Sequence, residues 1–159
     1  MTPSEANVAA VMTEAPIVID PNEPLALAAR TMARHSIRHL PVVDHGALVG
    51  LISQRDLLAA RDGDRVVRDV MTAECAVTHP GASACQAARA LLTLKIGCLP
   101  VLDDGALVGI VTETDFVRVA YAVLAAVSAS SRRATPVRAR VVPDKKPTRR
   151  RAAPRRHRA

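Results

Sequence analysis

Apolar and polar positions along the chain follow two different rhythms, and each predicts an element. Ile17 to Ile19 is a short apolar run closed by Asp20-Pro21-Asn22-Glu23-Pro24, which reads as a brief strand ended by a turn. Leu25, Ala28, Ala29 and Met32 then fall at i, i+3, i+4 and i+7, the single stripe of an amphipathic helix. The stripe is mostly alanine, so this helix can approach a sheet closely. His39 to Val43 and Ala47 to Ile52 are apolar, β-branched runs joined at Asp44-His45-Gly46, a hairpin signal. Their apolarity is continuous rather than alternating, which predicts strands covered on both faces. Ser53 follows as the N-cap of a closing helix.

The same order returns 59 residues later without a gap. Val11-Met12-Thr13 falls on Val70-Met71-Thr72, Ala28-Ala29-Arg30 on Ala87-Ala88-Arg89, and Leu40-Pro41-Val42 on Leu99-Pro100-Val101. Gly46-Ala47-Leu48-Val49-Gly50 falls on Gly105-Ala106-Leu107-Val108-Gly109, Ser53 on Thr112, and Asp56 on Asp115. Such a constant register identifies an internal duplication. Each unit reads strand, helix, strand, strand, helix, giving an α/β (α+β) fold with units at residues 8–64 and 65–127 and a tail at 128–159. The charged stretch Arg61-Asp62-Gly63-Asp64-Arg65 is the expected linker. A unit of this size buries little surface alone, so the two are expected to pack sheet to sheet.

Two readings fit Ser53-Gln54-Arg55-Asp56 and Thr112-Glu113-Thr114-Asp115. In one, the hydroxyl caps the helix and the carboxylate three residues on reaches back, as in a capping box, at the positive end of the helix dipole. In the other, the same helix start offers N–H groups to a phosphate beside the hydroxyl. The aspartate one turn in can accept both hydrogen bonds of a ribose diol. Ile52 and Val111 would then wall a flat base.

The ordered set of Val-Met-Thr, alanine-rich helix, Leu-Pro-Val, Gly-x-Leu-Val-Gly and [Ser/Thr]-x-x-Asp resembles the cystathionine β-synthase (CBS) domain. It occurs twice between about residues 8 and 125, as in the tandem pairs called Bateman modules. The resemblance implies two CBS units packed through their sheets, with a cleft holding up to two sites for adenosine-containing ligands. It also implies that Ser53 with Asp56, and Thr112 with Asp115, contact phosphate and ribose. Disc-like homodimers formed through exposed helices are a further implication. Just before Leu-Pro the units differ: the first has Arg38-His39, where family members that bind charged nucleotides carry basic residues, and the second has Gly97-Cys98. One site for an anionic ligand and one weaker or vacant site are therefore expected.

Composition narrows the functions further. Apolar residues make up 49% of the chain but aromatics only 1%, namely Phe116 and Tyr121, so the core must be aliphatic. The net charge of +7 averages two unlike pieces. Residues 1–131 hold ten basic and fourteen acidic residues, whereas residues 132–159 hold twelve basic residues against Asp144 alone. That Arg/Pro/Ala-rich tail has the composition of a disordered segment, and it would attract nucleic acid or an acidic partner through counterion release. Without aromatics it offers no stacking platform for bases.

Cys75, Cys85 and Cys98 are odd in number, lack C-x-x-C spacing and follow no secretory signal pattern, which points to a reducing cytoplasm. No apolar run approaches the roughly 20 residues of a spanning helix. His35 and His39 lack a matching third ligand, so no metal is expected, and Cys98 reads as a small buried apolar residue. No Walker loop or nucleophile–base arrangement appears. The expectation is a non-enzymatic regulatory or sensor module, cytoplasmic and homodimeric, with an adenosine nucleotide or adenosyl compound as regulatory ligand and no obligatory cofactor. The alternative is a nucleic-acid-associated protein that binds through its tail and uses the CBS pair as a dimerising scaffold.

Overall fold

The computed structural model describes residues 6–61 and 65–129. The middle of the expected linker and residues 130–159 of the expected tail lie outside the described residues. A 3-10 turn, Val8–Ala10, and strand β1, Thr13–Glu14, precede the first repeat's helix α1, Leu25–His35. Strands β2, His39–Asp44, and β3, Ala47–Ser53, form a hairpin, and a short helix α2, Gln54–Ala59, follows. The second repeat supplies α3, Val67–Val70, then α4, Ala84–Leu94, the hairpin β4, Cys98–Asp103, and β5, Ala106–Thr112, and α5, Glu113–Ala129. The fold is thus the expected mixed α/β pair, and β3 of one repeat touches β5 of the other. α5 also runs through Ser128 and Ala129, two residues past the predicted start of the tail.

The hairpin turns follow from their central pairs. His45-Gly46 and Asp104-Gly105 all have positive φ, 48° and 84° in the first and 46° and 81° in the second. This is the twist that suits a two-residue hairpin, and glycine takes the second position without steric cost. Helices α1 and α4 both stop on left-handed residues, Ser36 and Lys95. The alanine stripe is only partly buried. Ala28 and Met32 are core residues, as are Ala84, Ala87 and Leu91, but Ala29 faces outward.

The predicted strand at Ile17 to Ile19 does not form. Ile19 alone makes a parallel bridge, to Val42, donating to the Pro41 carbonyl at 3.0 Å and accepting from the Val43 N–H at 2.9 Å. Pro16 on one side and the Asp20 turn on the other leave room for one bridged residue, and Ile17 is exposed at the edge of a cavity. Thr78 makes the same single bridge, to Val101.

The repeats exchange their leading segments. Val8 donates to Ala82 at 2.8 Å and Ala9 to Pro80 at 2.9 Å, and β1 pairs antiparallel with β5, Thr13 opposite Ile110. Reciprocally, Val67 donates to Glu23 and Arg68 to Pro21, both at 2.9 Å, and Thr72 bridges Leu51. Val8 and Val67 are both fully buried, each in the core of the other repeat. The Asp69 carboxylate accepts the Arg65 and Val66 N–H groups at 2.8 and 3.0 Å, and these bonds hold it below the usual carboxylate range.

The second glycine of each Gly-Ala-Leu-Val-Gly block belongs to this exchange. A Cβ on Gly50 would lie 2.8 Å from the Thr72 carbonyl oxygen, and one on Gly109 would lie 2.7 Å from Met12 Sδ and 3.1 Å from the Thr13 carbonyl oxygen. The Val-Met-Thr segment of one repeat therefore lies against the bare strand backbone of the other. The two motifs recur together because each makes room for the other's partner.

Candidate functional site

Two cavities flank the contact between the repeats. The first, about 250 Å³, draws on residues 13–17, 36–41 and 110–118. The second, about 530 Å³, draws on residues 72–76, 95–98 and 51–58, with Arg38, His39 and Glu113 also on its wall. The 59-residue shift carries the three segments of the first cavity onto those of the second. Each cavity is therefore composite: one repeat gives the helix start, and the other gives the segment ahead of its Leu-Pro strand.

The helix starts form as capping boxes. In α2 the Asp56 Oδ2 accepts from the Ser53 N–H at 2.7 Å and from Ser53 Oγ at 2.6 Å. In α5 the Asp115 Oδ2 accepts from the Thr112 N–H at 2.8 Å and from Thr112 Oγ1 at 2.7 Å. The first helical N–H of each is also taken, Gln54 by the Arg38 carbonyl at 2.9 Å and Glu113 by the Gly97 carbonyl at 3.2 Å. In both aspartates one oxygen is thus committed to the cap. Asp115 is buried, 6% exposed, whereas Asp56 is half-buried. The second oxygen of Asp115, Oδ1, accepts from Arg118 Nη1 at 3.3 Å.

Arg38 and His39 line both cavities, that of the Ser53–Asp56 cradle in their own repeat and that of the Thr112–Asp115 cradle in the other. By the repeat symmetry their primary place is with Thr112 and Asp115, in the first cavity. His39 is half-buried, and desolvation first, then the Arg38 charge, lowers its pKa below 6.5. Its imidazole stands where a side chain on residue 97 would have to go, since a Cβ on Gly97 would lie 2.6 Å from Cε1 and Nε2. The difference between Arg38-His39 and Gly97-Cys98 is a fitted pair: the ring of one repeat fills the gap left by the other.

Ile52 and Val111 line neither cavity. Both are fully buried, one in each hydrophobic core, because successive strand residues point to opposite faces. The apolar residues that reach the cavities are their neighbours, Ile110 in the first and Leu51 in the second. Arg118 is a charged lining residue that sequence reasoning missed, since an arginine in the second turn of a helix reads as solvated surface. Only its offset counterpart, Ala59, marks it as different.

The remaining candidates fall elsewhere. His35 ends α1 in the open, and His39 begins β2. Cys98 is buried and its thiol is pushed up to about 12 by desolvation, while burial also raises Cys75, so both stay protonated. Charges divide unevenly between the cavities. The first has Arg38 and Arg118 against Asp115, and the second sets Arg38, Arg55 and Lys95 against Asp56, Glu74 and Glu113.

Known proteins share this architecture. The chain is 41% identical over 110 residues to the inosine-5'-monophosphate dehydrogenase of Mycobacterium bovis, a match covering 67% of this chain but 21% of that enzyme. The CBS domain pair of protein MJ0100, solved with 5'-methylthioadenosine and S-adenosyl-L-methionine, superposes with a TM-score of 0.70 at 31% identity, over 74% of this chain and 97% of that one. CBSX2 from Arabidopsis thaliana, solved with AMP, gives 0.69 at 32% identity, over 74% and 98%. A family model for the CBS domain matches residues 8–63 and 67–122, so the chain belongs to the CBS-domain family, with two copies in tandem.

Proposed function

We propose that this chain is a non-catalytic regulatory or sensor module that binds an adenosine nucleotide in the first cavity. The observation that carries this reading is the convergence of Arg38 from one repeat and Arg118 from the other on the Thr112–Asp115 cradle. Arg38 and Arg118 suit a phosphate, the Asp115 carboxylate suits a ribose diol, and Ile37 and Ile110 supply apolar wall for a base. A volume of about 250 Å³ lies just under the roughly 300–1,000 Å³ of small-molecule pockets, which favours a mononucleotide over a dinucleotide. The MJ0100 pair and CBSX2 were each solved with adenosine compounds, which supports the ligand class.

A ligand held by both repeats biases their relative packing, and that is the signal such a module would transmit. Self-association through α5 fits its surface, because Tyr121, Leu124 and Val127 are 63% to 74% exposed. Among the described residues no helix is long and apolar enough to cross a membrane. The three cysteines are free, in keeping with a reducing cytoplasm.

A thermal-shift series with AMP, ADP, ATP, NAD and S-adenosylmethionine tests the reading, because a ligand that binds only folded protein raises apparent stability. At least one nucleotide should stabilise the wild type and Asp56→Ala but not Asp115→Ala. Folded protein that responds to none of the five would overturn it.

A further inference from the structure

We infer that Arg118 makes the first cavity select a 5'-phosphorylated nucleoside over the bare nucleoside, by guarding the oxygen the ribose needs. The inference rests on the nucleotide reading above and adds a determinant of specificity to it. Asp115 has one oxygen, Oδ2, committed to the Thr112 N–H and hydroxyl. A ribose diol must therefore approach Oδ1, and that atom already accepts from Arg118 Nη1 at 3.3 Å. The carboxylate is buried at 7% side-chain exposure, while the arginine is 74% exposed and free to swing on its stem.

Ligand binding is then an exchange. The diol takes Oδ1, and the displaced guanidinium needs another anion close by. A nucleoside offers none, so binding it leaves Asp115 without its cation. A 5'-phosphate accepts the released Arg118 together with Arg38, which reaches the same cavity from the other repeat. The second cavity has no such device, because the position equivalent to Arg118 is Ala59. Asp56 Oδ1 has no arginine at the corresponding site, and Glu74 and Glu113 stand nearby on the wall.

Calorimetric titration of the full chain with AMP and with adenosine, at one fixed low ionic strength, reads the effect directly. In Arg118→Ala the affinity for AMP should fall roughly tenfold, the size of a lost hydrogen bond between charged groups, while that for adenosine rises. Arg118→Lys should recover part of the preference, since it keeps the charge without the planar fork. An Arg118→Ala variant that binds both ligands with the wild-type ratio would overturn the inference and leave the nucleotide site standing. A wild type that binds neither ligand overturns the inference, and the nucleotide reading falls with it only if ADP, ATP, NAD and S-adenosylmethionine also leave the protein's thermal stability unchanged.

Discussion

The two cavities come from one duplicated plan and have diverged in opposite places. Their cradles are nearly superimposable in chemistry: Ser53 with Asp56 and Thr112 with Asp115 make the same two bonds within 0.1 Å of each other. Around them Thr13 and Ile37 still match Thr72 and Ile96, but most other wall positions differ. Ala15-Pro16 stands against Glu74-Cys75, Arg38-His39 against Gly97-Cys98, and Arg118 against Ala59. Structure-bearing residues are held by two demands at once, a helix cap and a hairpin, whereas wall residues answer to how the two repeats meet, as His39 does against Gly97. The difference teaches that the caps are fixed by the fold, whereas the walls, where Arg118 stands against Ala59, set the charge of each cavity.

The comparison breaks most visibly in the cores. Leu40 and Leu99 are counterparts, 0% and 3% exposed, and truncating either to alanine should cost about 2–5 kcal/mol. Because the leading segments are exchanged, each variant should still unfold in one transition by calorimetry. Two resolved transitions, with only the mutated half shifted, would show that the repeats unfold independently.

A smaller effect separates the two strand glycines. Gly50→Ala presses a methyl group against the Thr72 backbone oxygen, which cannot move alone, whereas Gly109→Ala first meets the end of the flexible Met12 side chain. Urea denaturation should show Gly50→Ala losing about 1–3 kcal/mol and Gly109→Ala less. The reverse order would mean that the Thr72 segment yields more easily than Thr13.

The smallest effect is a pH dependence present on one side of the pseudo-symmetry only. The folded-state pKa of His39 lies below 6.5, so the unfolded chain binds the proton first as pH falls. The resulting stability is fully present above 6.5 and is lost as pH drops through that value toward the folded pKa. Comparing wild type with His39→Gln between pH 7 and 5 should show a shallower acid slope in the variant. Equal slopes would put the titration elsewhere.

Much of this could be read from the sequence, because the elements are built from local signals. The hairpin glycines, both capping boxes and, Ala29 apart, the helix stripes fall where the spacing places them. The exchange could not be read, since β3 and β5 are almost the same strand and nothing local tells Thr13 which of them to join. The same ambiguity hid which helix start Arg38 and His39 would face, and in the structure they line both cavities. Leu51-Ile52 and Ile110-Val111 are apolar on both strand faces, so their pattern does not reveal which member reaches a cavity. Ile17 to Ile19 has strand composition, but its partner, β2, offers it bonds at one residue only.

The crossed leading segments also bear on how such a protein could arise. A single repeat made alone would carry a free arm and, on its own sheet, a vacant groove of matching shape. Two copies of that half-length chain could complete each other only by trading arms. The present chain joins in one polypeptide what would have been a swapped pair of separate subunits. In a joined chain each groove meets a different neighbour, so the two pockets need not be identical, and here one carries an arginine where the other carries an alanine.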